Sequence, residues 1–304
     1  MALAALLTGR GGLPPNVFRD VLGAGGVMVN RHRATLPDQP LRVRDEVVAH
    51  ILARGQRASG PQAIDPARVL HLDDQLLALD KPPGIPAQAT ETDVAAGLDA
   101  SVRALLVARG EKAPFVGLVH RLDLDTSGVT LFGRTAAAVQ SLTEQFREGS
   151  VQKTYAALLS GHPAWEEKRV DAPIAADAAH PGQYAVSSHG RPARTVFRVV
   201  SRLGSPGTPL AATRVEVRPE TGRTHQIRVH ARSLGHPLLG DRRYGGPQAL
   251  TAPQGTRLDL PRVALHAVEI RFRHPAGQVM MLRAPWPDDL AHVEQWLREG
   301  FQTA

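Results

Sequence analysis

The stretch His120-Arg121-Leu122-Asp123-Leu124-Asp125-Thr126-Ser127-Gly128 gathers an arginine, two carboxylates and two hydroxyls into a few residues of chain. Those types support carboxylate chemistry: an ionised aspartate acting as nucleophile or base, with a guanidinium to steady it. Apolar runs flank the stretch, Phe115 to Val119 before it and Val129 to Phe132 after it, and both read as buried strands. The polar residues are therefore expected in a loop from which bulk water is kept away. There Asp123 and Asp125 need a cation, Arg121 or one from elsewhere, or they must change ionisation, because an unpaired buried charge is costly. An ion-paired β-turn is the plain structural alternative.

A second polar cluster runs from Pro219 to His230 as P-E-T-G-R-T-H-Q-I-R-V-H. Thr221-Gly222 reads as a turn, followed by a helix start bearing Arg223, His225, Gln226, Arg228 and His230. On that helix Thr224, Arg228 and Ala231 share a face, whereas Gln226 and Arg228 do not. A cation near a helix N-terminus opposes the dipole, so a phosphate or a buried carboxylate is its natural counterweight. Asp123 is the partner expected for Arg228. His120, His225, His230, His236 and Asp241 are metal-ligand types, yet no H-E-x-x-H or cysteine pattern joins them, and no metal is expected. Ser127 lacks the G-x-S-x-G elbow of a serine hydrolase.

The chain that must position these residues has 304 of them, 42% hydrophobic but only 4% aromatic, which allows an aliphatic core and about two domains. Its net charge of +7 points to a polyanion, nucleic acid before an anionic membrane surface. Cysteine is absent, which excludes disulfides, thiolate metal sites and thiol nucleophiles. The opening Met-Ala-Leu-Ala-Ala-Leu-Leu is too short for a signal-peptide core, and no stretch approaches the roughly 18 to 20 apolar residues of a spanning helix. A cytoplasmic location with no membrane association is expected.

Residues 1–53 read as a small α/β module: a helix, a Gly25-Gly26 turn, a strand Val27-Met28-Val29, a basic turn Asn30 to Arg33 and a strand Glu46 to Ile51. Arg19, Arg31, His32, Arg33, Arg42 and Arg44 suit sequence-blind phosphate contacts. Residues 54–68 are rich in Gly, Pro, Ser and Gln and read as a linker. Residues 69–304 form the main domain. Strands are expected within Val69 to Asp80, at Lys153 to Ser160, Thr195 to Ser201, Thr213 to Val217, Ala264 to Phe272 and Val279 to Arg283. Helices are expected at Thr92 to Gly110, Thr135 to Gly149 and Pro287 to Gly300. Strands outnumber helices without a repeated βαβ unit, so the fold class is α+β, a mixed and mainly antiparallel sheet with flanking helices.

Five segments agree in order with one family: Leu79-Asp80-Lys81-Pro82-Pro83-Gly84, His120 to Gly128, Lys153-Thr154-Tyr155, Thr221 to His230, and Leu234 to Gly245 with its G-H-P-L-L-G-D run. Leu265-His266-Ala267 extends the match. Together they resemble the RluA-type pseudouridine synthases, over residues 69 to 290. Residues 13 to 52 resemble the S-four-type RNA-binding module that precedes the catalytic domain in many members. The resemblance implies isomerisation of a uridine in RNA to pseudouridine without a cofactor; a monomer is the default expectation. It implies that Asp123 is the catalytic aspartate, acting as nucleophile or as base on the sugar. Tyr155 matches the tyrosine that packs on the base and is a candidate for taking the carbon-5 proton, and Arg228 matches the basic partner of the aspartate.

A duplex hides the target, so the uridine must be extruded, and Arg121 is the family-matched residue to fill the gap. His120, His225 and Gln226 are expected to support the site or to touch substrate. Lys81 and Arg223 are candidate RNA contacts, as are Arg19, Arg31 and Arg33. Asp241 and Tyr244 follow Gly240 in a tight turn and read as structural. Large-subunit ribosomal RNA is the expected substrate, with transfer RNA as the alternative. The rival from another class is a non-catalytic RNA-binding or ribosome-assembly protein, which has no need of a carboxylate facing a polyanion. A sugar hydrolase would need Asp125 as a second, opposed carboxylate, and Asp125 stands in the same loop.

Overall fold

A computed structural model describes residues 2–10, 15, 18, 22, 27–30, 32–34, 36–49, 61–87 and 97–299. The described chain divides into two compact units, one of residues 1–66 with 85–116, the other of 67–84 with 117–304. The stretch 85–116, read from the sequence as part of the main domain, thus groups with the N-terminal residues.

In the first unit, strands β1 (Val27–Val29), β2 (His32–Arg33) and β3 (Val47–Ala49) form an antiparallel sheet in the order β2-β1-β3. Val27 and Val29 face a small core with Leu3, Leu7, Phe18 and Ala34. Helix α1 (Leu98–Ala108) buries Leu98, Val102, Leu105 and Leu106, the stripe expected from their spacing. Its expected cap, Thr92 or Asp93, lies outside the described residues, as do Arg19 and Arg31.

The second unit is built on one long sheet. Its strands are β4 (Val69–Leu72), β5 (Leu76–Lys81), β6 (Gly117–Leu118), β7 (Ser127–Gly133), β8 (Gln152–Ser160), β9 (Glu167–Asp171), β12 (Arg194–Leu203), β13 (Ala212–Pro219), β16 (Leu265–Arg273) and β17 (Val279–Arg283). Short two-stranded pairs sit beside it, β10 (Ile174–Ala176) with β11 (Tyr184–Val186) and β14 (Ala249–Thr251) with β15 (Arg257–Asp259). The order is β4-β5-β7-β16-β8-β13-β12-β9, with β6 on β7 and β17 on β16. All pairings are antiparallel except β7 with β16. This is the mixed, mainly antiparallel sheet that the strand count implies.

Strands β5 and β7 are buried along their whole length, which is why they read as continuous apolar runs rather than alternating ones. The run before the aspartate loop differs from its reading: β6 is two half-buried residues and Phe115 is 51% exposed. Helix α2 (Ala136–Glu148) starts where Thr135 Oγ1 accepts the Ala138 N–H at 3.1 Å and stops at Gly149 in the left-handed region, φ 75°. Helix α3 (Gln226–Ser233) follows β13, and helix α4 (Asp288–Arg298) closes the chain. Under α3 lies the apolar cluster of Leu159, Phe197, Val215, Val217, Ile227, Leu238 and Leu265, against which Tyr155 of β8 packs. The edge of that cluster is where the polar residues meet.

Candidate active site

Asp123 opens a turn that Thr126 closes by donating its N–H to the Asp123 carbonyl at 3.1 Å, and β7 begins at the next residue. Two buried cations hold this turn from behind. Lys81, completely buried at the end of β5, spends its Nζ protons on the carbonyls of Pro82 (2.9 Å), Leu124 (2.9 Å) and Thr126 (3.0 Å). Burial pulls its ammonium down to about 7, against the attraction of Asp125. Arg262 reaches the Asp125 carbonyl at 3.3 Å while Asp289 clasps its other nitrogens. The sequence expectation that Lys81 meets RNA phosphate is therefore corrected: it is a brace inside the fold.

The aspartate's partner comes from α3. Arg228 Nη1 donates to Asp123 Oδ2 at 3.0 Å, and the same guanidinium forms a two-pronged pair with Asp241, Nε and Nη2 each 2.8 Å from a carboxylate oxygen. The Asp241 side chain has no exposure, that of Arg228 11% and that of Asp123 25%. Tyr244 lies under the guanidinium, 5.0 Å from carbon to ring centre. Burial disfavours the charged arginine, but Asp241 and then Asp123 more than offset it and raise its pKa, so Arg228 stays charged. A cation in the first turn of a helix thus has both carboxylates as its counterweight.

His225 precedes α3 in the left-handed region, φ 55°, so the helix begins at Gln226, later than the sequence suggests. Its Nδ1 is 2.6 Å from the Tyr244 hydroxyl and its Nε2 3.9 Å from Asp123 Oδ2. Tyr155 is half-buried on β8. Burial first and the charge of Asp123 second push its phenol pKa up, so the hydroxyl keeps its proton. On the outer side of the loop Arg121 is exposed and, among the described residues, has no ion pair with Asp125. Leu124 is 49% exposed beside it.

Other expected contacts turn inward. His120 accepts the Leu131 N–H at 3.1 Å and stacks on Phe146, and burial pushes its imidazole down to about 3. Gln226 is buried, its Oε1 accepting from Thr221 and the Arg223 N–H, its Nε2 donating to Arg194 and Thr195. Of the two roles expected for His120 and Gln226, these bonds are those of supports. Arg223 is half-buried and donates Nε to the Pro192 carbonyl at 2.9 Å. Ser127 Oγ pairs with His266 Nδ1 at 2.8 Å, across the parallel β7–β16 step. Arg33 stands on β2, in the other unit.

The histidines and aspartate weighed as metal ligands do not gather: His230 is spent on Thr195 and the Ala172 carbonyl, His236 on the Ser160 carbonyl. Among the described residues His71, Asp73 and His274 do bring ligand atoms within 4.8 Å of one another. There Asp73 Oδ2 lies 2.7 Å from His71 Nε2 and 3.0 Å from His274 Nε2, while His274 Nδ1 accepts the Ala276 N–H at 3.1 Å.

Asp241 and Tyr244 are the site residues that sequence reasoning missed. The G-D-R-R-Y turn signals the cap but not the partner: Asp241 caps the short Arg242–Tyr244 helix, accepting the Tyr244 N–H, and its carboxylate also meets Arg228 of α3.

Residues 75–233 match the family described as RNA pseudouridylate synthase. Ribosomal large subunit pseudouridine synthase C of Escherichia coli (strain K12) is 37% identical over 299 residues, covering 95% of this chain and 90% of the relative. The protein of the same name from Pasteurella multocida is 35% identical over 298 residues, 95% and 87%. Among solved structures, Human RNA Pseudouridylate Synthase Domain Containing 1 superposes with a TM-score of 0.57 at 25% identity, over 71% of this chain and 82% of that one. The helices in this chain reach no length and apolarity that would cross a membrane, among the described residues. A match over half the chain and relatives spanning nearly all of it make this chain a member of the RNA pseudouridylate synthase family.

Proposed function

We propose that this synthase converts a uridine of large-subunit ribosomal RNA to pseudouridine, as a cytoplasmic monomer, with Asp123 acting on the sugar. The supporting observation is the fixed carboxylate: Asp123 is held at 3.0 Å by an arginine that is itself locked by Asp241, and it remains partly open to solvent. An aspartate that must be ionised to attack or to take a proton needs such a partner. The names of the relatives support the ribosomal substrate, and the charge of +7 suits it.

In the reaction the bond from N1 of uracil to the sugar breaks, the base turns, and C5 bonds to the same sugar carbon while its proton leaves. Tyr155 is the platform for the turning base. Since its phenol keeps its proton, the hydroxyl takes the C5 proton only as it passes its own on. Arg121, exposed at the rim, fills the space left by the extruded uridine. The N-terminal unit, an S-four-like module in this reading, adds phosphate contacts through Arg19, Arg31 and Arg33, and Arg223 adds one near the site.

The test is a map of pseudouridine in total RNA from cells lacking the protein, complemented with the native chain or with Asp123→Asn. A ribosomal site lost in the deletion and restored only by the native chain is the expected result. The purified Asp123→Asn protein should bind that RNA within a few fold of native, because the amide keeps the shape and removes only the charge. A map unchanged by the deletion, with no turnover by the purified native protein on ribosomal fragments, would leave the non-catalytic RNA-binding reading.

A further inference from the structure

His225 is absorbed by no step so far, yet its ring is among the most constrained in the site. Tyr184 and Tyr244 hold it edge-on from two sides, with interplanar angles of 82° and 79°. Its proton can be placed by accounting for donors. The Tyr244 hydroxyl, buried, accepts the Tyr184 N–H at 3.1 Å, so its own proton needs an acceptor. Among the described residues His225 Nδ1, 2.6 Å away, is the acceptor in reach. Nδ1 is therefore bare, and a neutral imidazole then carries its proton on Nε2. Burial supports the neutral form, lowering the pKa of His225 against the pull of Asp123.

That Nε2–H faces the catalytic carboxylate without bonding to it, because 3.9 Å is too long for a hydrogen bond. One oxygen atom can lie about 2.8 Å from both groups. It must accept from the N–H and donate to the carboxylate, which a hydroxyl does and a carbonyl oxygen does not. Within an RNA chain the 3′ and 5′ oxygens of a nucleotide are esterified, so its one free sugar hydroxyl is the 2′-hydroxyl. We propose that His225 Nε2–H and Asp123 together grip the 2′-hydroxyl of the target uridine, making His225 the residue that distinguishes ribose from deoxyribose at the reactive nucleotide. This rests on Asp123 acting on the sugar.

The test uses the RNA fragment whose uridine the native protein converts, made with either uridine or 2′-deoxyuridine at that one position. Single-turnover rates and affinities are measured for the native protein, His225→Leu, His225→Gln and Tyr244→Phe. The native protein should prefer the ribo substrate, and His225→Leu should reduce that preference about tenfold, the worth of one hydrogen bond. His225→Gln, which keeps an N–H donor, should recover part of it. Tyr244→Phe, which frees the ring to change tautomer, should lose part. An equal slowing of both substrates by His225→Leu, or a native protein indifferent to the 2′-hydroxyl, would overturn the proposal. Should His225→Leu not fold, the loss of preference in Tyr244→Phe decides. Failure of the native protein to convert any uridine fragment counts against the assigned substrate instead.

Discussion

Arg228 aims Asp123 only because Asp241 aims Arg228. The pair with Asp241 uses Nε and Nη2, leaving Nη1 for Asp123, so the planar fork sets the direction of the catalytic carboxylate. A lysine cannot make this arrangement, since its ammonium lacks the planar fork that meets both Asp241 oxygens side by side while a third nitrogen reaches Asp123, and the fully buried Asp241 loses its two-pronged partner. Arg228→Lys is expected to lower stability by about 3 kcal/mol and turnover by at least about a hundredfold. Urea unfolding and single-turnover rates check both; a variant as stable and as fast as native would show that Arg228 is not the brace. At this scale the Asp123–Arg228 pairing was legible from the helix-dipole argument, since a cation in a first helical turn asks for an anion. Asp241 and Tyr244 were not, because a G-D-x-x-Y turn carries no sign of which element it will face.

The aspartate loop owes its shape to the ends of two buried strands. Lys81 at the end of β5 ties down the carbonyls of Leu124 and Thr126, and Gly128 lets β7 lie directly on β16. Gly128 has φ 114°, and a Cβ there would collide with the Ala267 backbone. Lys81→Met would keep the volume and strand but remove the Nζ donor from both carbonyls, of which that of Leu124 keeps the Gly84 N–H at 3.0 Å. A loss of about 1–3 kcal/mol is expected, with turnover falling more than RNA affinity, because the loop and not the binding surface has loosened. Thermal unfolding together with the rate and affinity measurements tests this; unaffected turnover would mean that the loop holds itself. From sequence Lys81 read as an RNA contact because K-P-P-G suggests an exposed turn, and two of its three acceptors, the carbonyls of Leu124 and Thr126, lie more than forty residues along the chain. Long elements were readable: α2 with Thr135 and Gly149 at its ends, and β17 over Val279 to Arg283. The pairs β10–β11 and β14–β15 were not, since strands of three residues are too short to show a period of two.

At the scale of the whole molecule, an RNA-binding protein with a charge of +7 also keeps some of its cationic types neutral inside. His120 is held down to about 3 by burial and the nearby Lys153, and His266 to about 4 chiefly by burial. In the unfolded chain both return to the ordinary value near 6.5. Below that pH the unfolded state binds more protons than the folded one, so stability falls with falling pH, and it keeps falling until the folded values are reached. Asp73 acts in the same sense lower down. Burial opposes but hydrogen bonds from His71, Gln75 and Leu76 outweigh it, holding the carboxyl at about 2, so its contribution persists above about pH 4 and disappears only toward pH 2. Between pH 6.5 and 4.5 the histidines therefore dominate, at a cost on the order of 1–2 kcal/mol each by pH 4.5. The melting temperature should drop over this window in the native protein. Replacing both histidines with glutamine, which can still accept the Leu131 N–H and pair with Ser127, should lower stability at pH 7.5 but flatten the decline. A native protein whose melting temperature stays level from pH 6.5 to 4.5 would mean that these rings take up protons in the folded state, and that the interior around the catalytic loop is wetter than its packing implies.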